Sequence, residues 1–202
     1  MAHYRQVGDV PPKRHTQHRD PDGNLYREEL MGEEGFSSDS SLLYHVGVPS
    51  AVLEARTLLA EEFDVGASAW SVTSYKGVRE DALAVERWNR LHPGEPARTS
   101  ALLDRLARSE GPIVAVTDFM KALPDQVGRF LAPRGFVPLG TDGYGRSDTR
   151  KALRRHFEVD AAHIVVATLA ALVEAGEAKA QEVAQALETF GIDPEAVNPL
   201  HA

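Results

Sequence analysis

The chain contains no cysteine. That absence excludes disulfide staples, thiolate nucleophiles and cysteine-ligated metals, and it suits a reducing, cytoplasmic setting. No uninterrupted apolar run approaches the roughly 18 residues of a membrane-spanning helix. The opening residues, MAHYRQVGDVPPKRH, have no apolar stretch of the kind that begins a secretory signal. Positive charge is scarce: 22 Lys and Arg stand against 30 Asp and Glu, giving a formal net charge of −8. With no long basic tract to offset it, that balance argues against nucleic acid or an anionic membrane as the main partner. There is no Gly-x-Ser-x-Gly elbow, so a serine hydrolase has no support.

What is present changes character near His45. Residues 1–41 are polar and rich in charge, Pro and Gly. They are expected to form an irregular N-terminal segment with too few aliphatic side chains to offset its ordering entropy. Within it, Asp20-Pro21-Asp22-Gly23-Asn24 has the composition of a turn joining two short strands, the second beginning at Leu25 and Tyr26. The stretch Gly35–Ser41 reads as a linker. His15-x-x-His18 has metal-ligand spacing only on a helix, which the nearby prolines oppose, and no third ligand is in view. Asp20–Asn24 has its Gly at position four rather than six of a calcium loop, which leaves a plain turn.

Residues 42–202 read as one α/β domain. The run 42–48, LLYHVGV, suits a strand, with Ser50 capping a helix that carries Val52, Arg56, Leu59 and Phe63. A strand at 69–73 precedes a helix over about 78–91 with Ala84, Trp88 and Leu91 on one face. In the segment Arg87-Trp88-Asn89, a buried Trp sits beside surface ion pairs. Thr99 or Ser100 caps a short helix. Ile113–Thr117 is continuous and β-branched, the pattern of a strand covered on both faces. A helix near 123–131 leads to a strand at 136–139, which Pro138 confines to an edge. Ser147 then caps a helix bearing Leu153 and Phe157, Asp160 caps another that runs to Gly176, and a last helix spans 179–190. Alternation of strands and helices predicts a largely parallel sheet with helices on both faces.

Several longer strings are distinctive. They are Trp70-Ser-Val-Thr-Ser-Tyr75, Asp81–Pro93 (DALAVERWNRLHP), Thr117-Asp-Phe-Met-Lys121, Gly140–Arg150 (GTDGYGRSDTR), Arg155–Asp160 (RHFEVD) and Phe190–Pro194 (FGIDP). In this order they resemble the C-terminal domain of the homodimeric, acetyl-transferring pyruvate dehydrogenase, the thiamin-dependent first component of its complex. The resemblance covers about three quarters of the chain. It implies a transketolase-like fold: a three-layer α/β/α sandwich around a mostly parallel, mixed sheet. It also implies a role in building a dimer, through self-association or contacts with other components of the complex. The parent reaction decarboxylates pyruvate on thiamin diphosphate and reductively acetylates a lipoyl group.

Residues 1–45 are different. Tyr4–Gln17 and Tyr26–His45, which ends in GFSSDSSLLYH, resemble the N-terminus of homogentisate 1,2-dioxygenase, whose iron ligands lie in a region with no counterpart here. The pyruvate dehydrogenase domain opens with a strand and a Gly-rich turn. Leu42, Leu43 and Val46 are therefore expected to replace that strand.

The thiamin diphosphate motif that the resemblance brings to mind needs Gly-Asp-Gly and, some thirty residues on, paired Asn oxygens to hold magnesium. Asn occurs here only at positions 24, 89 and 198. The chain is accordingly expected to bind neither thiamin diphosphate nor magnesium and to be inactive alone. Two places remain as candidate interfaces or anion sites. Asp118 and Lys121 follow a buried strand at its carboxyl end, where open α/β sheets often bind ligands. Asp142, Arg146 and Asp148 lie in a Gly-containing loop that reads equally as a structural loop and helix cap. No metal-ligating or catalytic residue is singled out.

Overall fold

The strand at the join is the centre of the sheet. The computed structural model describes residues 38–45, 47–107 and 109–202, together with the backbone of three short strands, β1 (Tyr4–Gln6), β2 (Thr16–Arg19) and β3 (Leu25–Glu28). β2 and β3 pair antiparallel, as the turn composition between them predicts. The residues of that turn, and His15, lie outside the described residues. β4 (Ser38–Tyr44) then runs parallel to β5 (Val65–Val72) on one side and β6 (Ile113–Val116) on the other. β7 (Phe136–Leu139) extends the sheet beyond β6, and β1 pairs antiparallel with the outer side of β5. The order is β1-β5-β4-β6-β7, so the sheet is mixed but mostly parallel, and β7 is the edge that Pro138 predicts.

Because side chains alternate across a strand, β4 contributes to two cores. Leu42 and Tyr44 face α1 (Pro49–Glu62), while Leu43 faces α2 (Tyr75–Leu91) and α3 (Ala101–Leu106). α4 (Ala122–Leu131) follows β6 on the Leu43 side; α5 (Arg150–His156), α6 (Ala161–Ala175) and α7 (Ala180–Thr189) follow β7, and α6 and α7 cover the Leu42 side. This is the expected three-layer α/β/α sandwich. Leu42 and Leu43 lie in a strand, as expected of them, and are fully buried; Val46 lies outside the described residues. Residues 150–175 have the length and composition to cross a membrane. They nevertheless form two helices, and α6 buries Ile164, Val165, Leu169 and Leu172 in the core.

Several boundaries differ from the sequence reading. The stretch read as a linker supplies the first half of β4, because Ser40 and Ser41 are fully buried within the sheet. α1 starts at Pro49, where a missing N–H costs nothing in the first turn, rather than being capped by Ser50. It ends at Glu62 with Phe63 as its C-cap, and Asp64 turns the chain with φ +53°, so Val65 already belongs to β5. α2 begins a turn early because the Ser74 hydroxyl accepts from Gly77 N at 3.1 Å. Its buried residues are Tyr75, Val78 and Ala82, not Ala84, Trp88 and Leu91; Leu91 is 54% exposed. Trp88 is only half-buried, stacked on His92 with ring centroids 4.4 Å apart and covered by the Arg98 guanidinium at 3.7 Å. α5 is capped by Thr149, whose hydroxyl accepts from Ala152 N at 3.2 Å, and not by Ser147.

Asp160 caps α6 as read, accepting from His163 N at 3.0 Å and from His163 Nδ1 at 2.6 Å. Burial alone would raise its carboxyl, but these two bonds and the charge of Arg155 outweigh that and hold it below the ordinary value. The stabilisation is therefore present at neutral pH and lost as pH falls through the depressed value.

A polar clasp fastens the start of β4. Ser109 donates to Asp39 Oδ1 at 3.0 Å, Ser41 donates to Ser109 Oγ at 3.1 Å, and Arg134 reaches Ser109 Oγ at 3.1 Å, Leu106 O at 2.7 Å and Gly111 O at 2.8 Å. A Cβ on Gly111 would lie 1.8 Å from Asp39 O, so glycine alone lets the two segments close. Burial pushes the Asp39 carboxyl up, by more than the Ser109 hydrogen bond and the Arg134 charge pull it down.

Two outcomes follow. Leu43→Ala is expected to cost about 2–5 kcal/mol in urea unfolding, since it opens a cavity on the α2 side of the sheet. Asp39 holds its proton more tightly in the folded chain, so its contribution to stability falls as pH rises from the unfolded to the folded value. Asp39→Asn keeps the acceptor for Ser109, and relative to the parent it is expected to gain stability between pH 4 and pH 7. A relative loss over that interval would mean that the attraction to Arg134 dominates.

Candidate functional site

The connections from β4 and β6 leave the sheet on opposite sides. β4 feeds α1 on one face and leads to β5, whereas β6 feeds α4 on the other face and leads to β7. The carboxyl ends of these adjacent strands are therefore the topological switch point, where open α/β sheets bind their ligands. A cavity of ≈530 Å³ lies there. Gly47 and Val48 enter it from the end of β4, Asp118 from the end of β6, and Thr141 from beyond β7. Gly143, Gly145, Arg146, Asp148, Arg150 and Arg154 enclose the polar side, and Leu153, Phe157 and Val159 the apolar side.

The loops are tied by short-range chemistry. Gly47 has φ +98°, and a Cβ there would lie 1.9 Å from Asp118 Oδ2, so the carboxylate occupies the space that glycine leaves. Thr141 donates its N–H to Phe119 O and its hydroxyl to Asp118 O, each at 2.9 Å. Asp142 Oδ1 accepts from Lys121 N at 2.9 Å. Arg154 donates to Gly47 O and to Ser50 Oγ, the latter at 3.0 Å, which fixes the turn after β4 against α5. Arg146 donates to His156 Nδ1 at 3.0 Å, and Asp148 Oδ1 accepts from Thr149 N at 2.6 Å.

Of the residues singled out from sequence, Asp118, Arg146 and Asp148 line the cavity. Lys121 and Asp142 stand beside it and clasp two loops together through a backbone bond. Sequence reasoning missed Gly47, Thr141, Arg150 and Arg154. The four-residue spacing of Arg150 and Arg154 was a visible signal, because positions four apart share a helix face and both lie on α5. The Arg154–Gly47 bond, spanning 107 residues, had no local signal. His45, at the carboxyl end of β4, was also missed. Its ring lies near those of Tyr75 and Phe119, with centroids 5.8 and 5.5 Å away, and among the described residues its Nδ1 and the Tyr75 hydroxyl are buried without hydrogen-bond partners. Burial pushes the His45 imidazole below its ordinary value, against the upward pull of the Asp118 charge.

The loops around the cavity also expose apolar side chains. Phe119 is 53% exposed, Met120 60%, Tyr144 81% and Leu200 51%. These lie on adjoining loops: Thr141 is bonded to Phe119, and Gly143 packs against Pro199 and Leu200 so closely that a Cβ would lie 2.3 Å from Pro199 O.

A model of the transketolase-like C-terminal domain matches residues 47–160. Among curated relatives, the pyruvate dehydrogenase E1 component of Pseudomonas aeruginosa is 47% identical over 149 residues, 74% of this chain and 17% of that protein. That of Escherichia coli is 41% identical over 175 residues, 87% of this chain and 19% of that protein. That of Mycobacterium tuberculosis is 38% identical over 199 residues, 97% of this chain and 21% of that protein, so most of residues 1–37 falls within the matched region. The chain thus spans about a fifth of the length of these relatives. A solved structure of a split-gene transketolase, an inactive β4 tetramer, superposes with a TM-score of 0.51 at 23% identity, covering 69% of this chain and 40% of that one; this likeness concerns the fold.

Replacing Gly47 by Ala is expected to destabilise the domain through both its positive φ and the clash with Asp118. The backbone part is about 1–2 kcal/mol and persists in an Asp118→Ala background, whereas the steric part disappears. A double-mutant cycle by chemical denaturation should therefore show coupling of at least about 0.5 kcal/mol. Simple additivity would contradict the contact.

Proposed function

The chain belongs to the transketolase-like C-terminal domain family, and from that membership we propose that it serves a pyruvate dehydrogenase E1 component as an assembly domain, without cofactor or catalysis of its own. The observation that carries this reading is the match to E1 relatives over most of the chain, together with the domain-family match over residues 47–160. The exposed Phe119, Met120, Tyr144 and Leu200 support it, since apolar side chains gathered on adjoining loops mark surfaces that meet another protein. The partner in this reading is a second copy of the chain or another part of the E1 component.

Among the described residues, the two asparagines are engaged elsewhere, which supports this reading. Asn89 is committed to the backbone of Arg98, accepting at 2.8 Å and donating at 2.9 Å, and Asn198 accepts from Leu200 N at 2.9 Å. Among the described residues, no three His, Asp or Glu side chains converge as a metal would require. The chain's own contribution is a rigid sandwich that presents the carboxyl-end loops in fixed register.

The chain alone is expected to show no magnesium-dependent thiamin diphosphate binding by calorimetry and no pyruvate decarboxylation. Sedimentation over a range of concentrations is expected to show self-association that Tyr144→Ser combined with Met120→Ser weakens. Clear turnover by the chain would overturn the non-catalytic reading, and a monomer at every concentration would count against self-association.

A further inference from the structure

We propose that the cavity at the switch point binds a small metabolite carrying an oxyanion, phosphate or carboxylate, and neighbouring hydroxyl groups. Its volume of ≈530 Å³ falls within the range of small-molecule sites. Position, shape and charge agree. The cavity lies where the connections of β4 and β6 diverge, beyond the carboxyl ends of both strands. Gly145 keeps one part of the lining free of a side chain: apart from its chain neighbours, no atom of the described residues lies within 4 Å of where its Cβ would be.

Three guanidiniums line the cavity against two carboxylates, a surplus of one positive charge in a chain whose formal net charge is −8. Arg154 is held in place by Gly47 O and Ser50 Oγ, and Arg146 by His156. Arg150 lies one helical turn from Arg154, is exposed, and has no hydrogen bond or ion pair among the described residues. Its planar fork of donors is available for a bidentate bond to an oxyanion. Asp118 and Asp148 repel a bare anion but accept from hydroxyls, so a ligand with donors beside its charged group is favoured over inorganic phosphate. Leu153, Phe157 and Val159 give the carbon skeleton an apolar wall. The cavity is built from this domain alone, so ligand binding does not depend on the assembly role.

The test uses the full chain and four probes at constant ionic strength: glycerol 3-phosphate, glycerate, inorganic phosphate and glycerol. Binding is followed by amide chemical shifts in two-dimensional NMR. The proposal predicts saturable shifts confined to 47–50, 118–119 and 141–154 with glycerol 3-phosphate or glycerate, whichever of the two binding more tightly identifying the oxyanion. It predicts affinity about tenfold weaker for inorganic phosphate and none for glycerol. Arg150→Ala, at an exposed position without partners among the described residues, should keep the native spectrum and lower affinity at least about tenfold, while Lys151→Ala should leave affinity unchanged. Absence of saturable shifts with both organic anions would overturn the proposal. So would shifts equal in Arg150→Ala, or shifts reproduced by glycerol.

Discussion

The fold depends on β4 lying between two parallel neighbours. Its backbone completes ladders with both β5 and β6, and its side chains alternate between the two cores on either face of the sheet. Without it, the β5 half and the β6–β7 half of the sheet would have no hydrogen-bonded connection, and the buried peptide groups along both edges would be left unpaired. Burial of Leu42 and Leu43 adds the hydrophobic term on each face. The crevice is a consequence of the same arrangement, because it opens where the chain leaves β4 and β6 in opposite directions.

The residues that form this strand lie where the sequence changes character near His45. Their fit to the rest of the sheet is specific. Asp39 and Ser41 join a hydrogen-bonded clasp with Ser109 and Arg134, and Gly111 closes against the Asp39 backbone with no room for a side chain. At the other end, Gly47 makes room for the Asp118 carboxylate and offers its carbonyl to Arg154. Both ends of the strand are therefore matched to groups far along the chain.

Much of the architecture was legible because it rests on local signals. The β-branched run at 113–116, Pro138 at an edge, and the Asp160 cap with its Gly176 stop each specify their element without tertiary help. Errors arose where tertiary contacts overrode local pattern. Ser38–Ser41 looked like a linker because serine favours loops, yet the clasp takes up the Ser41 hydroxyl and the flanking ladders pair the backbone, while the buried Ser40 hydroxyl has no partner among the described residues. Trp88 looked like core because it is large and apolar, yet it stacks on a His and an Arg at the surface. The site was half visible. Asp118, Arg146 and Asp148 were marked by their place after a strand and within a Gly-containing loop. Thr141 and Arg154 reach the cavity through contacts across distant loops and elements, which no window of sequence displays.

Amide hydrogen exchange of the full chain tests the central role of β4 most directly. If this strand is the middle of the sheet, the amides of residues 41–44 will exchange as slowly as those of Ile113–Val116, through global unfolding. Absence of protection at 41–44 while 113–116 remain protected would contradict the account.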